Sequence, residues 1–125
     1  MNDRSVLSWG LLSTARINRA VIPAIRNSKR SRLLAVASRN QKTADEFART
    51  WHIPHTHSTY EDLLKDPEID VIYIPLPNSL HAKWSIKAVH AGKHVLCEKP
   101  LATSLADIYA IRVASEQTGK IITEA

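Results

Sequence analysis

The run Ser31-Arg32-Leu33-Leu34-Ala35-Val36-Ala37 is apolar at its last five positions in succession. A strand with one face in water would alternate apolar and polar residues, so this one reads as buried on both faces, as in a parallel sheet covered by helices. Parallel neighbours need long crossovers. The rest of the chain supplies them as helical patterns set between further short apolar runs.

In chain order, Val6–Leu12 is the first strand, and Ser13, Thr14 and Ala15 form its exit turn. From Ala15 onward Ile17, Val21, Ile22 and Ile25 recur at helical spacing, with Pro23 expected to bend that helix or end its bonding early. Asn40 or Thr43 opens a second helix carrying Ala44, Phe47, Ala48 and Trp51, and a weak strand near Ile53–Thr56 follows. Thr59 caps a short helix that packs Leu63 and Leu64 inward. Ile69–Ile74 is a strand rich in β-branched residues, ending at Pro75-Leu76-Pro77-Asn78. Ser79 is expected to cap the next helix, and Gly92 to stop it. The strand through Val95 and Cys97 then delivers Glu98 and Lys99 to its carboxyl end, where Pro100 prevents further pairing. A helix from about Ser104 to Gln117, closed by Gly119, and a last strand at Lys120–Thr123 complete the pattern. The fold class is therefore α/β, a doubly wound parallel sheet, with residues 1–125 as one domain.

In such sheets ligands bind beyond the carboxyl ends of the strands. Two segments there carry chemistry. The turn Ser13-Thr14-Ala15-Arg16-Ile17-Asn18 stands where a G-x-G-x-x-G phosphate turn would be, with other residues at all three glycine positions. Ser and Ala still allow close approach of backbone to phosphate, the following helix start favours an anion, and Arg16 adds charge; an ordinary strand-to-helix turn is the alternative. At the end of the second strand, Ser38-Arg39-Asn40 offers a hydroxyl and a guanidinium, with Lys42 close by and no acid before Asp45. That pair suits a ribose 2′-phosphate, which favours NADP over NAD.

Net charge is +5, and ten of the seventeen Lys and Arg fall in residues 1–52 with only three of the twelve acids. The cluster Arg26, Lys29, Arg30, Arg32 reads as solvated helix ends and turns in preference to a nucleic-acid surface. No run is long enough to cross a bilayer, and Met1-Asn2-Asp3-Arg4 lacks a signal pattern, so a cytoplasmic location is expected. The single Cys97, in an apolar strand, reads as a packed and inert thiol.

Several of these segments together resemble one family. The runs WGLLSTARINRAVIPAI, VASRN, YEDLL, DVIYIPLPNSLH and AGKHVLCEKPLA are similar to the amino-terminal half of the glucose-fructose oxidoreductase, inositol dehydrogenase and rhizopine-catabolism oxidoreductase family, in particular to members acting on sugars and dihydrodiols with NADP. The resemblance implies an NAD(P)-binding Rossmann domain followed in the family by a second domain that supplies most of the substrate pocket and usually the homo-oligomer interface. On matching positions it implies that Ser13, Thr14, Ala15, Arg16 and Ile17 hold the pyrophosphate and that Ser38 and Arg39 hold the adenosine ribose phosphate. Pro75, Leu76, Asn78 and His81 would border the nicotinamide half and Glu98 would contact its ribose. Lys99 would orient the substrate hydroxyl and help move the proton. Hydride would pass between NADP, or NAD, and a sugar, polyol or dihydrodiol. Because the sequence stops at Ile121-Ile122-Thr123-Glu124-Ala125, where family members continue, the expectation is a cofactor half without its substrate half, and turnover by this chain alone is in doubt. A non-catalytic nucleotide-binding or regulatory protein, or an inactive fragment, is the alternative.

His52, His55 and His57 invite a metal reading, but no carboxylate or Cys at metal-ligand spacing completes a set; a solvent-facing edge and no metal are expected. His90 and His94 flank a helix stop and read as capping or surface groups.

Overall fold

The computed structural model describes residues 5–125; the amino-terminal residues read above for a signal pattern lie outside that range. Strands β1 (Leu7–Leu12), β2 (Ser31–Ala37), β3 (His55–His57), β4 (Val71–Ile74), β5 (His94–Cys97) and β6 (Ile122–Glu124) form one sheet. Helices α1 (Asn18–Asn27), α2 (Gln41–Trp51), α3 (Tyr60–Lys65), α4 (His81–His90) and α5 (Leu105–Thr118) alternate with them. Strand order is β3-β2-β1-β4-β5-β6 and every pairing is parallel. The chain winds outward from β1 in one direction and from β4 in the other, so the order reverses between these two strands and leaves a crevice at their carboxyl ends.

Both sheet faces are covered, as the unbroken apolar run of β2 requires. On one face Leu11, Leu33, Val36 and Tyr73 pack with Ile22 and Ile25 of α1 and Ala48 of α2. On the other, Leu12, Leu34, Ile72 and Ile74 pack with Leu63 and Leu64 of α3, Trp84 and Val89 of α4 and Ala114 of α5. Leu33 and Val36 share a face although three residues apart, because the register against β1 slips between Trp9 and Gly10 and an irregularity in β2 absorbs one residue. Gly10 lets α3 close on the sheet: a Cβ there would lie 3.0 Å from the Leu63 Cδ1 atom.

Most helix ends follow local chemistry. Asn40, Thr59 and Ser104 each accept the backbone N–H three residues on, at 2.8, 3.0 and 3.1 Å, and Gly119 closes α5 at φ 70°. α1 begins at Asn18 and not Ala15, since residues 15–17 form a tight turn whose carbonyls take the first helical N–H groups. It continues through Pro23 to Asn27; Pro23 is exposed, so the carbonyl that loses its partner on that side is open to water. Ser79 is not a cap. Asn78–Leu80 is a single 3₁₀ turn in which Leu80 N–H donates to Pro77, and α4 starts at His81 without a side-chain cap.

The basic cluster does structural work in part. Arg26 donates to the Trp51 and His52 carbonyls at the end of α2, and Arg32 Nε donates to Ser8 Oγ at 2.6 Å. No described helix is long and apolar enough to cross a membrane.

Candidate functional site

Three segments meet around the crevice beyond β1 and β4. The first is the turn after β1. Ser13 is buried and holds φ 137°, a region that favours glycine and costs another residue roughly 1–3 kcal/mol. Its Oγ accepts from Ala15 N–H at 3.2 Å, and its carbonyl accepts from Asn18 Nδ2 at 3.0 Å. Ser13 thus takes a conformation that glycine favours, its carbonyl held by Asn18, which is fully buried and stands at the third glycine position. α1 has no acid in its first turn and no side-chain cap, while Arg16, Ile17 and Arg19 are exposed there. A cleft of about 390 Å³ runs from Thr14, Ala15 and Arg16 to Phe47 and Trp51 of α2.

The second segment is the end of β2. Ser38 is buried, and its N–H donates to the His57 carbonyl at 3.1 Å, while Arg39 is exposed. Asp45 turns away from this point: its Oδ1 accepts from Gln41 Nε2 at 2.8 Å and from Thr56 Oγ1 at 2.9 Å, and these two bonds hold the carboxyl below its ordinary range. Burial pushes the neighbouring Tyr60 phenol up, and the Arg39 charge opposes that. Cationic and hydroxyl donors are on offer here, with the nearby carboxylate already engaged.

The third segment joins the exits of β4 and β5. Tyr73, fully buried, donates to Glu98 Oε2 at 2.6 Å; burial first and the Glu98 carboxylate second push the phenol far up, so it remains a donor. Glu98 N–H donates to the Ile74 carbonyl at 3.1 Å. His81 is fully buried, with Nδ1 2.6 Å from the Pro100 carbonyl and Nε2 2.6 Å from the Leu76 carbonyl. Its ring thus ties the loop after β4 to the loop after β5 from inside the fold. Pro75 is half-buried, Leu76 buried and Asn78 exposed. Lys99 precedes a cis peptide to Pro100, is exposed, and makes no ion pair among the described residues. Leu101 N–H donates to Glu124 Oε2 at 2.8 Å, which fixes the far side of the turn. Beneath it, Cys97 is fully buried and burial pushes its thiol up to about 11.

A second cleft, about 800 Å³, lies elsewhere, at the amino ends of the strands. Three of its polar side chains are engaged: Asp70 accepts from Ser8 N–H at 2.8 Å, Lys93 Nζ donates to the Asp66 and Ile69 carbonyls at 2.6 and 2.8 Å, and His94 Nδ1 accepts from Ile121 N–H at 3.0 Å. The topological crevice, with its unspent donors, is the better candidate.

The histidines of β3 do not simply face solvent. Asp66 Oδ2 lies 3.2 Å from His55 Nδ1 and 3.0 Å from His57 Nε2, so the carboxylate that the sequence spacing failed to provide arrives from the turn after α3. His52, by contrast, ends α2 in a left-handed conformation and is exposed.

A reversing parallel sheet with a phosphate-type turn at its switch point defines a dinucleotide-binding α/β domain. The chain belongs to the oxidoreductase family with an NAD-binding Rossmann fold, whose sequence model matches residues 7–125. It is 42% identical over 120 residues to a D-xylose 1-dehydrogenase (NADP(+)) of Haloferax volcanii, covering 95% of this chain and 37% of that protein. It is 35% identical over 121 residues to a trans-1,2-dihydrobenzene-1,2-diol dehydrogenase of Danio rerio, covering 95% and 36%. The crystal structure of a 3-ketoreductase from Actinomadura kijaniata, in complex with NADP and TDP-benzene, superposes with a TM-score of 0.89 at 31% identity, covering 95% of this chain and 37% of that one. The chain thus spans little more than a third of the length of these relatives.

Proposed function

We propose that residues 1–125 form the cofactor domain of an NADP-dependent oxidoreductase that moves hydride between nicotinamide and a carbon bearing a hydroxyl in a sugar, polyol or dihydrodiol. The observation that carries the NADP assignment is the end of β2, where Ser38 and Arg39 stand as donors and Asp45 is engaged by Gln41 and Thr56. An NAD site would present a free carboxylate there to the ribose hydroxyls. The xylose dehydrogenase and the ketoreductase, whose names include NADP, support the same reading.

The residues present fit the cofactor. An uncapped helix start without acids, with Arg16 beside it and Ser13 already in a glycine-like conformation, suits a pyrophosphate. Ser13 to Ile17 would hold the diphosphate, Ser38 and Arg39 the 2′-phosphate, and Pro75, Leu76 and Asn78 the border of the nicotinamide half. When bound, the cofactor supplies or accepts the hydride. Glu98, its carboxylate oriented by Tyr73, would accept the hydroxyls of the nicotinamide ribose. The Lys99 ammonium would donate a proton to the substrate oxygen in reduction, and the amine would take it back in oxidation.

The test is a fluorescence titration of residues 1–125 with NADPH and, in parallel, NADH. The expected result is saturable binding that favours NADPH, with the preference lost in Arg39→Ala; equal affinities in the unmodified chain overturn the assignment.

A further inference from the structure

We propose that His55, Asp66 and Glu68 form a binding site for a divalent transition-metal ion of the zinc class, at the β3 edge of the sheet and apart from the crevice beyond β1 and β4. Alternation along β3 puts His55 and His57 on the same side of the strand. α3 then returns the chain across that side, so that Asp66 at its end meets both rings and Glu68 in the following turn meets that of His55. One ligand atom from each of His55, Asp66 and Glu68 lies within 4.8 Å of the other two, a spread that small side-chain rotations contract onto an ion. His55 Nε2 is 3.7 Å from Glu68 Oε2, and His55 Nδ1 is 3.2 Å from Asp66 Oδ2.

The Asp66 carboxylate is prepared for this role. Its side chain is only 7% exposed; Oδ1 accepts from Glu68 N–H at 3.0 Å, which aims Oδ2 at the histidines. His57 holds Oδ2 from the other side at 3.0 Å, the kind of supporting contact that orients a ligating carboxylate. His55 and Glu68 are 36% and 59% exposed, so an ion can reach the site from water. Imidazole with two carboxylates suits zinc, cobalt or nickel better than magnesium or calcium, and three protein ligands leave one position for water. Bound there, the ion would clip β3 to the turn after α3. The His57 carbonyl of that strand receives the Ser38 N–H, so the clip lies one residue layer from the Ser38–Arg39 pair. The inference does not depend on the cofactor reading.

The experiment is calorimetric titration of the tag-free chain with zinc chloride, with cobalt absorption as a second readout of coordination. Expected are one zinc ion per chain, a rise in melting temperature on saturation, and loss of binding in the His55→Ala/Glu68→Gln double variant. His57→Gln should weaken the affinity roughly 10–100-fold without abolishing it, as removal of an orienting partner does. His90→Gln, on the exposed end of α4, should leave it unchanged. Because Glu68 is exposed, Glu68→Gln alone reads the site in a chain whose circular dichroism shows it folded. No saturable zinc binding by the folded unmodified chain, or binding unaltered in Glu68→Gln and in the double variant, overturns the proposal.

Discussion

The Tyr73 hydroxyl donates to the Glu98 carboxylate across 2.6 Å, joining the end of β4 to the end of β5. Tyr73 has no exposed surface, so its position is set by the core, and the bond transmits that position to a side chain at the crevice. Tyr73→Phe removes only the hydroxyl. Since Glu98 is half-buried and can turn to water, the expected loss is about 1 kcal/mol by urea denaturation, the net value of one hydrogen bond. An unchanged midpoint would show that the bond does not form in solution.

His81 makes a sharper prediction, because its two ring nitrogens reach carbonyls on different loops, Leu76 after β4 and Pro100 after β5. Its effect should fall on the nicotinamide side alone. In His81→Gln, affinity for NADPH is expected to drop about tenfold, equivalent to ~1.4 kcal/mol, while affinity for adenosine 2′,5′-bisphosphate is unchanged. Equal losses for both ligands would mean that the substitution loosens the whole domain and that the clamp has no directed role.

The contrast between these two residues and the helix caps shows where sequence reasoning succeeds. Asn40, Thr59 and Ser104 cap helices through bonds to N–H groups three residues away, so their chemistry is complete within a few residues of sequence. The unbroken apolar run of β2 likewise carries its own environment. Tyr73 and Glu98 are 25 residues apart and His81 and Pro100 are 19 apart; only the winding of the sheet brings each pair together. Asp66 meets His55 and His57 because α3 turns the chain back over β3. Ser79 misled because its residue type suits a cap, whereas Pro77 and the inward pull on His81 impose a 3₁₀ turn there. Asn18 escaped because an amide at the third glycine position signals nothing until its bond to Ser13 is seen.

Cys97 should be chemically silent in the folded chain. It has no exposed surface; burial pushes its thiol up to about 11, and the Glu98 and Glu124 charges add to that. Reaction with Ellman's reagent near pH ~8 is expected to be negligible until denaturant is added, and then to give one thiol per chain. Rapid reaction without denaturant would mean that β5 opens locally, and the turn carrying Glu98 and Lys99 would then be less fixed than its hydrogen bonds imply.

The pH dependence of stability should be governed in part by His94. Its Nδ1 accepts the Ile121 N–H at 3.0 Å, a bond that only the unprotonated nitrogen can make, and it ties the start of β5 to the residue before β6. Burial first, and the Lys120 charge second, hold its pKa below the ordinary value, with Asp70 opposing. The folded chain therefore binds this proton less readily than the unfolded chain. Its contribution is complete above the unfolded value of about 6.5 and is lost as pH falls through the lower folded value. Melting temperature should decline from neutral pH into this acidic window, and less steeply in His94→Asn, which keeps an acceptor but does not titrate. Exchange of the Ile121 amide should accelerate over the same range. Parallel melting curves for the two chains would show that the His94–Ile121 bond does not set the acid sensitivity.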